Sequence, residues 1–132
     1  MIAKWFVEEE DTEKALEIKD LHVKGGVALL SPVLALFELG NVLARHPSIT
    51  AIDSERAFGF LLDLGLELRS FAEPTLLRES FETSKRLRIS FYDACYVALA
   101  RRQRCPFVTA DKELHRRVKR HCDSHLLREG LS

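Results

Sequence analysis

Residues 90–114, SFYDACYVALARRQRCPFVTADKEL, constrain the fold more than any other stretch of this chain. A helical run of small apolar residues ends in a turn at Cys105-Pro106. A short strand and a second helix start follow. Each of the two helices opens on an aspartate, Asp93 or Asp111. The same alternation runs through the rest of the chain. Residues 1–7, MIAKWFV, are apolar from the first position and read as the middle of an element. Asp11 or Thr12 caps a helix that Gly25-Gly26 stops near residue 24. Residues 27–30 are too short an apolar run for a helix and read as a strand. Pro32 suits the first turn of a helix over 33–45. Asp53 or Ser54 opens a helix ending at Gly65, and residues 66–71 alternate as a half-buried strand. Pro74 starts a helix to about 87, Ser90 caps the next, residues 106–109 form a strand and 111–120 a helix, and 124–127 a last short strand. Short strands alternating with helices predict a parallel sheet covered by helices, an α/β sandwich.

In such folds ligands bind outside the carboxyl ends of the strands, where the following helices begin. Asp111 stands just after the 106–109 strand, and the first turn after Pro32 occupies an equivalent place. Ser90 to Asp93 has capping-box spacing, and Asp111 is a natural N-cap, so capping accounts for either aspartate by itself. Glu38 lies in PVLALFELGNVLAR, a helix apolar almost all round, which predicts a mostly buried helix. Glu38, Asn41 and Arg45 fall on one stripe of it. A carboxylate there turns to solvent, pairs with a base or holds a cation. Three acids near one sheet edge form a hard oxygen set, suited to Mg²⁺ or Mn²⁺ rather than Zn²⁺, and the matching chemistry is phosphodiester hydrolysis.

The 132 residues, 46% hydrophobic and 30% charged, fit one globular domain. A net charge of zero excludes a global field drawing the chain to nucleic acid, although the C-terminal part is locally basic. Arg101, Arg102 and Arg104 sit at the far end of the Asp93 helix, about 12–15 Å away at 1.5 Å per residue, so Lys112 is the better candidate for an RNA backbone contact. Three cysteines without C-x-x-C spacing point to a reducing, cytoplasmic setting. No apolar run approaches the ~20 residues of a membrane span. The opening residues do not read as a signal peptide. His121 and His125 have metal-capable spacing but lie in a basic segment.

SPVLALFELGNVL, SFYDACYVALA and FVTADKEL resemble, in that order, the motifs of PIN-domain ribonucleases, and more narrowly VapC-type toxins of toxin–antitoxin pairs. The resemblance covers nearly the whole chain. It implies a three-layer α/β/α fold with a parallel sheet, and a Mg²⁺- or Mn²⁺-dependent endoribonuclease. The expected partners are RNA, a cognate antitoxin and a second copy of the chain as a homodimer, with no membrane. By the resemblance Glu38, Asp93 and Asp111 are the catalytic and metal-ligating acids, with Thr109 and Asn41 in support. One departure stands out. The family's first strand and its aspartate would precede Met1, so residues 1–132 read as a single PIN-like domain lacking that strand. A start assigned inside a longer reading frame is the expected cause. The expected consequences are lowered stability, a partner's strand in the gap and weak metal binding. An alternative role is a catalytically silent protein that docks antitoxin or RNA.

Overall fold

The computed structural model describes residues 1–130. The chain forms two compact units, one from Ile2–Arg69 and one from Ser70 onward.

In the first unit a 3-10 turn, Ile2–Trp5, precedes α1 (Thr12–Val23), β1 (Leu30–Pro32), α2 (Leu34–Arg45), α3 (Ala51–Asp63) and β2 (Glu67–Arg69). β1 and β2 pair in parallel, Leu30 opposite Glu67 and Pro32 opposite Arg69. The Val33 N–H donates to the Arg69 carbonyl at 2.9 Å and carries the ladder one bond further. Pro32 therefore belongs to the strand and α2 starts after it; its fixed φ suits extended backbone as well as a first turn. α3 begins earlier than Asp53. Thr50 is the N-cap, its hydroxyl accepting from the Asp53 N–H while the Asp53 carboxylate accepts from the Thr50 N–H, a full capping box. Leu39, Leu43 and Leu61 make the core, with Trp5, Phe6 and Phe58 against it. Gly40 lets α2 and α3 approach: a Cβ there would meet Phe58 Cζ at 3.3 Å. The Trp5 indole N–H donates to the Ala15 carbonyl at 2.8 Å, which ties the opening turn to α1.

His22 closes the same unit. Its Nδ1 accepts the Leu29 N–H at 3.1 Å, so Nε2 carries the proton and donates to the Leu64 carbonyl at 2.8 Å. One side chain thereby anchors the approach to β1 and the end of α3.

The second unit contains α4 (Pro74–Leu87), α5 (Phe91–Gln103), β3 (Phe107–Thr109), α6 (Lys112–Val118), β4 (Ser124–Leu126) and a 3-10 turn, Leu127–Glu129. Pro74 sits in the first turn of α4, as its missing N–H predicts. α5 buries Ala94, Cys95, Val97, Ala98, Leu99 and Ala100. Such small residues let neighbouring backbone come close, and α4 lies along α5 with Leu76, Ser80 and Thr83 inward. Arg102 reaches back to α4, donating to Glu73 and Glu79 at 2.9 Å. β3 and β4 pair in parallel, Phe107 opposite Ser124 and Thr109 opposite Leu126. Val97, Phe107, Leu114 and Val118 form the core beneath them.

All strand pairing among the described residues is parallel, in two separate two-stranded ladders. The element order follows the predicted alternation closely. The strands are shorter than predicted, three residues each, and β1 lies three residues later than the apolar run suggested.

Candidate active site

β3 carries the site in the second unit. Thr109 is its last residue and is buried, and its hydroxyl accepts the Asp111 N–H at 3.1 Å. That bond fixes the turn between strand and helix. Asp111 then caps α6, Oδ1 accepting the Leu114 N–H at 3.0 Å. Its carboxylate is exposed at the carboxyl end of the strand, where parallel folds place their ligands. Lys112 follows, also exposed.

Asp93 arrives from α5. Ser90 is the N-cap, and its hydroxyl accepts the Asp93 N–H at 3.0 Å. The carboxylate takes its hydrogen bond from the Ser90 side chain, so the cap and the acid are joined through the hydroxyl. Burial pushes the Asp93 carboxyl above the usual aspartate range. The Ser90 hydrogen bond works against that shift, and the nearby Asp111 charge adds to it. Two carboxylates close enough to repel, one half-buried, are thus brought together by two helix starts.

Glu38 and Asn41 belong to α2 in the first unit. Both are exposed, one turn apart, with Arg45 exposed further along the same stripe. The predicted mostly buried helix is corrected here. α2 buries Ala35, Leu39 and Leu43 but leaves Phe37 70% exposed beside Glu38. Leucine and phenylalanine do not reveal which apolar side faces the core, and the spacing of 35, 39 and 43 does.

Among the described residues no three His, Cys, Asp or Glu side chains gather into a group able to hold a metal ion. Asp93 and Asp111 fit a hard divalent cation in ligand chemistry, since Mg²⁺ is commonly held by one or two carboxylates and waters. They are a partial donor set. His125 instead bonds Asp123 at 2.8 Å.

Two features went unread in the sequence. Arg69, last in β2, has a buried Nε with no hydrogen-bond partner among the described residues, although its Nη2 donates to Glu67 at 2.6 Å. It was read as an outward strand residue, and its place at a strand's carboxyl end was the available signal. The other is the Ser90 hydroxyl, read only as a cap.

A strand-end aspartate capping one helix, facing the first-turn aspartate of another, is the arrangement of a known class. A PIN domain family model matches residues 1–120, and the chain belongs to that family. It is a VapC-type member. Ribonuclease VapC3 of Pyrobaculum aerophilum is 30% identical over 118 residues, covering 86% of each chain. The crystal structure of PAE2754 from Pyrobaculum aerophilum superposes with a TM-score of 0.60 at 23% identity, over 88% of this chain and 83% of that one. That likeness shows the α/β PIN fold. No helix among the described residues is long and apolar enough to cross a membrane.

Proposed function

We propose that this chain is a metal-dependent endoribonuclease of a toxin–antitoxin system. The observation that carries the reading is the Asp93–Asp111 pair, whose burial and mutual repulsion raise Asp93 and create a demand for positive charge. The 30% identity to a ribonuclease VapC supports the substrate class. The family match over residues 1–120 runs through both units and supports one PIN domain.

In this reading Asp93 and Asp111 hold Mg²⁺ or Mn²⁺, with Glu38 as the further acid and Asn41 beside it. The bound ion supplies a polarised phosphate and a water of lowered pKa. Thr109 holds the Asp111 backbone in register, and Ser90 orients Asp93. Lys112 neutralises an RNA phosphate next to Asp111. A cognate antitoxin, a homodimeric state and a cytoplasmic setting complete the proposal.

A fluorogenic RNA incubated with Mn²⁺, with and without chelator, tests it. Cleavage is expected to fall at least about 100-fold in Asp93→Asn and in Asp111→Asn, the scale of losing positioned metal and acid–base chemistry. Cleavage unchanged in both variants would sink the assignment. A second reading, a catalytically silent protein docking RNA or antitoxin, draws support from the absence of a third acid gathered at the pair among the described residues. RNA binding that survives chelation, without cleavage, is its signature.

A further inference from the structure

Cys105 and Cys122 line one cavity of about 330 Å³ in the second unit, together with Arg101, Arg104, His121 and Asp123. They are 17 positions apart in sequence, and so is every residue pair of the β3–β4 ladder: 107 with 124, 108 with 125, 109 with 126. Carrying that register back two residues sets Cys105 opposite Cys122 on the face that holds Phe107. The ladder does extend toward them, because the Phe107 N–H donates to the Asp123 carbonyl at 2.8 Å. Pro106 also biases Cys105 toward extended backbone. Neighbouring strands run about 4.8 Å apart, inside the ~4.4–6.8 Å Cα range a disulfide spans. Both side chains pack on the same apolar cluster, around Val97, Ala100 and Phe107. Both are free thiols. Their closest polar neighbours are carbonyls, Ala100 at 3.9 Å from Cys105 Sγ and Val118 at 3.8 Å from Cys122 Sγ.

We propose that Cys105 and Cys122 are a dithiol modification site that closes to an intramolecular disulfide on exchange with a low-molecular-weight disulfide. One cysteine, as thiolate, attacks a sulfur of the reagent, breaks its S–S bond and releases one thiolate. The second cysteine attacks the resulting mixed disulfide at the protein sulfur and expels the other half. Two protein thiols are oxidised, one reagent disulfide is reduced to two thiols, and the two protons go to those thiols. Burial pushes both cysteine thiols up; at Cys122 Arg101 opposes that shift and Asp123 adds to it. Exchange is therefore slow near neutrality and accelerates with rising pH. The closed bond joins the entry to β3 with the entry to β4 and restricts the unfolded chain.

The full chain is incubated with oxidised glutathione at mildly alkaline pH, quenched with acid, and assayed for thiols after unfolding. Thiols are expected to fall from three to one, with loss of two hydrogens from the intact mass and a Cys105–Cys122 peptide under non-reducing digestion. Buried Cys95 remains reduced. Tm rises on the order of 10 °C, as a loop of this length predicts. Cys105→Ser and Cys122→Ser each stop at a single glutathione adduct and show no such rise. Stable adducts at both cysteines of the unsubstituted chain overturn the proposal. So does retention of all three thiols by the folded chain under conditions that oxidise it in urea.

Discussion

Asp93 is the residue where fold and function pull against each other. Its carboxyl is raised, chiefly by burial and further by Asp111, so the folded state favours the protonated form. The stabilisation associated with that proton is complete below the unfolded aspartate pKa of about 3.9 and is lost as pH rises through the higher folded value. Asp93→Asn stays neutral throughout. It should melt at a higher temperature than the unsubstituted chain at pH 7, and the gap should close on acidification to pH 3.5. Thermal melts across that range check the sign; a lower Tm for Asp93→Asn at pH 7 would contradict it. Thr109 makes a complementary case. Thr109→Val keeps the shape but removes the acceptor of the Asp111 N–H. It should cost about 1–2 kcal/mol in urea unfolding and lower cleavage as well, because the turn presenting Asp111 loosens. Glu113 on α6 behaves oppositely to Asp93: hydrogen bonds from Arg116 and Arg117 hold its carboxyl down at about 2, so it stays ionised through the whole range used for these melts.

At the scale of elements, local signals and packing contribute differently. α3 owes its start to Thr50 and Asp53, and Thr50→Ala should cost about 1 kcal/mol. α3 also buries Leu61 completely, and Leu61→Ala should cost about 2–5 kcal/mol, the range for a core leucine. Denaturant titration of both variants ranks the two effects, and the cap loss exceeding the core loss would contradict the ranking. The starts of α4 and α5 were legible because Pro74 and Ser90 act within one turn of themselves. The burial of α2 was not, because an apolar all-round sequence leaves the inward side open until the helix has a neighbour. Glu38 turned out exposed for that reason, with its neighbour Phe37. β1 was misplaced because residues 27–30 are more apolar than 30–32, while strand assignment depends on which backbone finds a partner, here Glu67–Arg69.

For the whole molecule, a bound cation and net charge set the expected behaviour in solution. Any ion that binds the folded chain alone raises its stability by mass action, about 2.7 kcal/mol at a hundredfold excess over Kd. Mn²⁺ should therefore raise the Tm of the unsubstituted chain, and that rise should shrink in Asp93→Asn. Equal rises in both would remove Asp93 from the site. The formal net charge is zero at pH 7, which leaves little electrostatic repulsion between copies. Light scattering should show self-association declining as pH moves away from neutrality in either direction.

Sequence by itself determined the order of helices and strands, the parallel α/β class and the aspartates at two helix starts. Those properties arise from periodicity, caps and turn residues acting over a few positions. Only the tertiary structure decided which strand pairs with which, how far Asp93 is buried, that the Asp111 charge acts on it, and that two cysteines share a cavity. Each of these depends on residues far apart in the chain being brought together, and neither periodicity nor capping carries information over that separation. The same distinction holds for the second stretch of motif, residues 90–114: its two carboxylates were visible as caps, and their raised, mutually repelling state exists only once α5 and α6 are folded around β3.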